Sequence, residues 1–245
     1  MRIIARLDIK GEHVVKGVCF EGIRKIGDPK KFCKKYYDDG ADEILITDVV
    51  ASLYGRNNLF QFIEKITEDI FIPICLNGGI RSLDDIDKAI RSGADKVAIN
   101  SALIKDLSFL KKAGDKFGVA NILVSIETKK ISNDFWEIYI LSGREKTGIN
   151  LLDWLKEIKR IKCGEILITS IDKDGTESGF DYELAKIIEK MNLKIPLIFS
   201  GGCKDMGDVK KIKENFNFDG IAVGSALHYK NLNINKIKKY LDNEK

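Results

Sequence analysis

The chain has 245 residues, 44% of them hydrophobic, enough material to bury one large core. Its 41 basic and 37 acidic residues leave a formal net charge of +4 spread along the whole length, which reads as a solvated, charge-mixed surface and argues against a nucleic-acid-binding stripe. Five cysteines without paired short spacings and two isolated histidines, His13 and His228, argue against a disulfide framework, a metal site and a histidine-based triad. Acid–base work then falls to carboxylates or lysine, and no cofactor is expected.

The chain opens into a strand, Arg2 to Asp8, without a charged-then-apolar leader, and no apolar run approaches the ~18 residues of a bilayer span. A cytoplasmic protein without membrane contact is expected. Further strands are predicted near 43–48, 73–77, 96–100, 122–127, 165–170, 196–200 and 219–223, alternating with helical patterns. Ser82 with Asp85 resembles a capping pair opening the third helix, and Gly93 follows that helix's end. Asp205 with Asp208 opens the equivalent helix later in the chain. Two connections are longer than βα alternation needs. Lys10 to Pro29 shows no helical period and reads as a loop, and Thr128 to Asn150 reads as a hairpin built on Phe135 to Ile140. Both leave strand ends, so they read either as a lid or as ornament.

The chain also repeats itself. Glu43-Ile44-Leu45-Ile46-Thr47 returns as Glu165-Ile166-Leu167-Ile168-Thr169, Asn77-Gly78-Gly79 returns as Ser200-Gly201-Gly202, and Asn100-Ser101-Ala102-Leu103 returns as Gly224-Ser225-Ala226-Leu227, all with nearly the same offset. A constant offset means two copies of one half. Eight strands made of two matching fours close more naturally into a barrel than into an open sheet. The expected fold is an α/β, (βα)8 TIM barrel, a single domain over 1–245 made of half-barrels at approximately 1–120 and 121–235, with its chemistry at the C-terminal strand ends.

At those ends, Gly78, Gly79, Asn100 and Ser101 form one candidate phosphate cradle, and Gly201, Gly202, Gly224 and Ser225 form another. One glycine pair alone is equally a tight turn. Two pairs at symmetric positions imply a ligand with a phosphate at each end. Asp8 and Glu127 end strands one and five and are counterparts under the repeat, suited to paired acid–base work. Asp48, Asp174 and Gly175 lie at or just past strand ends, where Asp172 to Thr176 is equally an Asx turn. At the opposite end Arg2, Glu43, Lys96 and Glu165 start their strands: either ordinary surface pairs or a four-charge gate in the barrel floor.

Arg2-Ile3-Ile4-Ala5, Leu7-Asp8, Val14-Val15-Lys16-Gly17, Gly27-Asp28-Pro29, Gly93-Ala94-Asp95-Lys96-Val97 and the run Leu167 to Thr176 together resemble the HisF family, cyclase subunits of imidazole glycerol phosphate synthase, from Arg2 to about Tyr229. The resemblance implies a barrel that receives ammonia through its core from a HisH-like glutaminase subunit docked at the N-terminal barrel face as a heterodimer. It implies that this ammonia converts the bis-phosphate PRFAR into imidazole glycerol phosphate and AICAR in histidine biosynthesis. It places a catalytic Asp at Asp8, a phosphate-side lysine on a mobile loop at Lys16, phosphate contacts near Gly79, Ser101, Gly202, Gly224 and Ser225, mouth residues at Asp48 and Asp174, the ammonia gate at Arg2, Glu43, Lys96 and Glu165, and an interface residue at Asp95.

Three positions depart from the family pattern, and all are expected at the mouth. Glu127 stands for the second catalytic Asp, Arg6 for a Cys two residues before Asp8, and Asn77 for the first of three cradle glycines. Arg6 is expected to point into the barrel beside Asp8 and to depress the pKa of both carboxylates. Arg6 and Asn77 are therefore specificity candidates. With Glu21-Gly22-Ile23-Arg24 and Ala51 to Asn58, these departures keep two alternatives open: a paralog supplying ammonia for amidation of a surface or nucleotide-linked sugar, and a non-catalytic phosphate-binding barrel that activates a glutaminase. A sugar-isomerising barrel fits less well, because the four-charge floor would then have no purpose.

Overall fold

Aliphatic runs such as Ile3-Ile4-Ala5 and Ile44-Leu45-Ile46 bury both faces of a strand, as a parallel sheet sheathed by helices requires. The computed structural model describes residues 1–51, 60–133 and 135–242. Eight parallel strands close into a barrel: β1 (Arg2–Lys10), β4 (Glu43–Asp48), β5 (Ile74–Asn77), β6 (Lys96–Ile99), β7 (Ile122–Ser132), β10 (Glu165–Ser170), β11 (Leu197–Ser200) and β12 (Gly220–Val223). Each pairs with the next, and β12 returns to β1. Around them lie α1 (Pro29–Asp38), α2 (Phe60–Thr67), α3 (Leu83–Arg91), α4 (Ser101–Lys105), α5 (Ser108–Phe117), α6 (Leu151–Ile161), α7 (Tyr182–Lys190), α8 (Met206–Asn215), α9 (Ser225–His228) and α10 (Ile234–Asp242). No helix among the described residues is long and apolar enough to cross a membrane.

The predicted caps are present. Ser82 Oγ accepts from the Asp85 N–H at 3.1 Å, and Asp205 accepts from the Gly207 N–H at 2.8 Å. Asp42, Asp95 and Asp219 share a second device: each accepts the N–H that opens an adjacent strand, at Ile3, Ile74 and Leu197. Asp95 thus helps to hold β5 in place.

Strand alternation sorts each side chain to the helices or to the lumen. On β1, Ile3, Ala5, Leu7 and Ile9 enter the outer core, while Arg2, Ile4, Arg6 and Asp8 face inward. The lumen is stacked in layers. Above the floor charges sits an apolar layer with one residue from every strand: Ile4, Leu45, Cys75, Ala98, Leu123, Leu167, Ile198 and Ala222, each at most 2% exposed.

The two long connections are antiparallel β-structure. Lys10 to Pro29, expected as an irregular loop, is a hairpin of β2 (His13–Val18) and β3 (Glu21–Gly27) that pairs with β1. Register shifts at Val14/Val15 and Lys16/Val18 break the alternation that would have marked it as strand. In the second, β7 runs on to Ser132 as one arm, β8 (Phe135–Ile140) is the other, and β9 (Glu145–Asn150) adds a third strand. Of the run from Ala51 to Asn58, residues 52–58 lie outside the described residues.

Candidate active site

At the floor, Arg2 donates to Glu43 at 3.0 Å and to Glu165, and Lys96 Nζ donates to Glu43 Oε2 at 2.9 Å and to Glu165 Oε2 at 3.0 Å. The four side chains form one closed ring across the lumen entrance. Burial pushes the Glu43 carboxyl up, only partly countered by Lys96. Burial also opposes the Lys96 charge, but Glu43 and Glu165 outweigh it and raise the ammonium.

A second ring stands at the mouth. Arg6 Nε donates to Asp8 Oδ1 at 2.9 Å and its Nη1 to Asp174 Oδ2 at 3.2 Å. Lys16 Nζ donates to Asp8 Oδ2 at 2.8 Å and to Asp174 Oδ1 at 2.6 Å. All four side chains are at most 8% exposed. Burial favours a neutral Asp8, but Arg6 and Lys16 outweigh it and hold the carboxyl well below the usual range. Lys16, expected on a mobile loop, instead lies in β2, where pairing of Val15 with Asp8 brings it over the β1 carboxylate. The sequence reading missed the ring itself, although Arg6 follows Arg2 at the even spacing that puts both on one strand face.

Glu127 is in a different setting. In register it faces Thr169 as Asp8 faces Thr47, so the two carboxylates are equivalent in the two halves. Its Oε2 accepts only the backbone N–H of Gly143 at 3.0 Å among the hydrogen bonds described. Burial raises its pKa to about 7 against the pull of Arg6 and of that N–H. Arg6 therefore pulls both carboxylates down, as expected, but only at Asp8 does the pull win; at Glu127 desolvation exceeds the attraction of a cation that makes no direct bond. Glu127, Asp8, Lys16, Arg6 and Asp174 line one small pocket, roofed by Phe20 and Arg144 of the hairpin tips.

The cradles flank this pocket. The first is a cavity of about 320 Å³ lined by Gly78, Gly79, Asn100 and Ser101, with Arg81 and Lys105 adding positive charge. The second gathers Gly175, Gly201, Gly202, Gly224 and Ser225 beside Lys16. Gly78 and Gly201 are required as glycine: at φ +97° and +105°, a Cβ would lie 2.4 Å from the Asp48 carbonyl oxygen and 2.6 Å from that of Ser170. Ser101 Oγ accepts the Leu141 N–H at 3.2 Å. In the second cradle Ser225 Oγ has no partner among the described residues, although Ser225 is 6% exposed. Neither has His228 Nε2, which lies 3.5 Å from where a Gly224 Cβ would stand. Its Nδ1 is 2.6 Å from the Tyr36 hydroxyl, and burial lowers its pKa to about 3. Buried polar atoms without protein partners beside open backbone suit the binding of an anion. The sequence reading set His228 aside as isolated. Its signal was the three-residue spacing from Ser225, one helical turn behind the cradle.

Two further candidates lie where expected, and their contacts show how each is held. Asp48 uses Oδ1 to accept the Val50 and Ala51 N–H groups, both at 2.9 Å, and so caps the turn that follows β4. Asn77 lines the first cradle's cavity, and its Nδ2 lies 3.4 Å from both Thr47 Oγ1 and Ser125 Oγ.

Residues 2–233 match the family model described as histidine biosynthesis protein. The chain is 48% identical over 202 residues to an imidazole glycerol phosphate synthase subunit HisF from Legionella pneumophila, covering 82% of this chain and 95% of the relative. The HisF subunit of Clostridium botulinum (strain Alaska E43 / Type E3) is 41% identical, with 100% and 96% covered, and that of Streptococcus mutans is 40% identical, with 97% and 94% covered. With a closed eight-stranded barrel and similarity running along nearly its whole length, this chain belongs to the HisF family of histidine biosynthesis proteins.

Proposed function

We propose that this chain is the cyclase subunit of an imidazole glycerol phosphate synthase, using ammonia to convert PRFAR to imidazole glycerol phosphate and AICAR in histidine biosynthesis. Two anion cradles flanking one pocket with two carboxylates carry the reading, because they match a bis-phosphate whose reacting centre lies between its ends. Glu127, with a pKa of about 7, exchanges a proton at neutral pH and suits the general acid, while the ionised Asp8 gains basicity as its complementary base when substrate draws Lys16 away from it. A phosphate in the second cradle competes with Asp8 and Asp174 for Lys16, and Ser225 with His228 supplies further donors.

The relatives are named as subunits of a synthase, which supports a cytoplasmic heterodimer with a glutaminase. Its docking face is the N-terminal end, where Phe71 and Val119, 79% and 44% exposed, lie on turns that lead into strands around the floor ring. Ammonia then enters through Arg2, Glu43, Lys96 and Glu165. Arg6 is engaged by Asp8, Asp174, Thr169 and Ser200, which weakens its case as a receptor for a carboxylate-bearing sugar. The HisF relatives favour the cyclase over both the amidation paralog and the silent barrel.

Incubating the purified chain with PRFAR and ammonium salt at raised pH tests this. Consumption of PRFAR with imidazole glycerol phosphate formed is expected, and tight binding without turnover would overturn it. Glu127→Gln is expected to lower kcat by about 10²- to 10⁴-fold, the usual loss on removing a general acid or base, with KM little changed.

A further inference from the structure

Arg6 leaves β1 and reaches past β12 to Ser200 Oγ on β11 at 3.3 Å and Thr169 Oγ1 on β10 at 3.4 Å. Asn77 leaves β5 and reaches back to Thr47 on β4 and past β6 to Ser125 on β7. Each of these six residues lies two positions after a member of the apolar layer: Ile4, Cys75, Leu45, Leu123, Leu167 and Ile198. They therefore form a polar layer directly above it. All six are buried, at most 8% exposed. The lumen thus runs from a charged floor through an apolar layer to a second polar closure, with Asp8 and Glu127 on its far side.

We propose that Arg6 and Asn77 form a second gate, which separates the apolar lumen from the reacting pocket and passes a small molecule only in its uncharged form. The proposal builds on the ammonia-delivery reading above. The apolar layer leading up to these two residues charges a high desolvation cost to ammonium, while neutral ammonia crosses it far more cheaply. The bond lengths favour opening at this layer. The contacts that close the lumen, to Thr169, Ser200, Thr47 and Ser125, are the long ones at 3.3–3.4 Å, where hydrogen bonds are weak. The bond anchoring Arg6 to Asp8 is 2.9 Å. The layer can part while Arg6 remains tied to the mouth.

Cys75 is a natural reporter, since it lies directly below Asn77 on the same strand face and is 0% exposed. Labelling the full chain with methyl methanethiosulfonate, read by peptide mass, needs neither PRFAR nor a partner, so its outcome is independent of whether the cyclase reading stands. Asn77→Ala is expected to speed Cys75 labelling about tenfold or more through easier local opening, with Cys33 and Cys163, buried outside the lumen, unchanged. Arg6→Ala is expected to act in the same direction. Unchanged Cys75 labelling in Asn77→Ala would overturn the proposal. So would a parallel rise at Cys33 and Cys163, which would mean a loosened fold and no gate.

Discussion

At the floor of the barrel, Arg2 and Lys96 each reach both Glu43 and Glu165; at the mouth, Arg6 and Lys16 each reach both Asp8 and Asp174. The circuit is the same, one arginine and one lysine closing on two carboxylates, and β1 supplies an arginine to each. The surroundings differ. The cation side chains are 31% and 17% exposed at the floor, but 5% and 4% at the mouth. Water partly solvates the two floor cations, so they can part and re-pair more readily, although Glu43 at 2% is as buried as the mouth carboxylates. The mouth ring has given up its hydration, so each charge depends on the other three. Connectivity alone therefore does not say how firmly a ring is held.

Removing one cation from each ring tests that difference most strongly. Arg6→Met leaves two buried carboxylates on Lys16 alone and is expected to cost about 3–5 kcal/mol, the usual penalty for breaking a buried pair. Lys96→Met leaves the partly solvated Arg2 still bridging Glu43 and Glu165 and is expected to cost less, about 1 kcal/mol. Urea denaturation of both variants measures this. Equal losses would show that burial does not distinguish the rings.

The next effect contrasts the two mouth carboxylates. Glu127 has its pKa raised from 4.5 to about 7 by burial, so its contribution to stability is fully present below pH 4.5 and is lost as pH rises through about 7. Asp8 is held low by its ring, so its contribution is present above the usual carboxylate range and is lost only as pH falls through its depressed folded value. Glu127→Gln is therefore expected to gain on the parent between pH 5 and pH 8 by about 3 kcal/mol at most, by linkage. Denaturation midpoints of both proteins at the two pH values give the measurement. A parallel shift of parent and variant would mean that Glu127 is ionised throughout.

The barrel was legible because periodicity is a property of neighbours in sequence: strand runs, caps and the internal repeat all lie within short windows or at a fixed offset. The floor ring was legible for the same reason, since strand starts line up at one end of a barrel. The mouth ring was not, because Lys16 arrives on a hairpin whose bulges break the alternation, and Asp174 comes from a turn that reads equally as an Asx cap. Arg6 was placed correctly beside Asp8 and does pull Glu127 down, yet the burial that outweighs this pull was not foreseen. A strand position tells which way a side chain points, but not how far the next carboxylate is from water. Asn77 shows the same limit: it lines the cradle with the glycines that follow it, as expected, but its reach across the lumen to Thr47 and Ser125 depends on neighbours distant in sequence.

The smallest expected effect is the most specific to the comparison. Ion pairs near water are screened over a Debye length of about 10 Å at 0.1 M salt, while pairs sealed from solvent are screened far less. Double-mutant cycles on Lys96 with Glu165 at the floor and on Lys16 with Asp174 at the mouth isolate each pairwise coupling from the rest of its ring. Raising the salt from about 0.05 to 0.5 M is expected to reduce the floor coupling by a few tenths of a kcal/mol and to leave the mouth coupling unchanged. If the mouth coupling falls with salt as the floor does, ions reach the space between Arg6 and Lys16 in solution, the hairpin tips at Phe20 and Arg144 stand open for much of the time, and the two rings are alike in function as well as in connectivity.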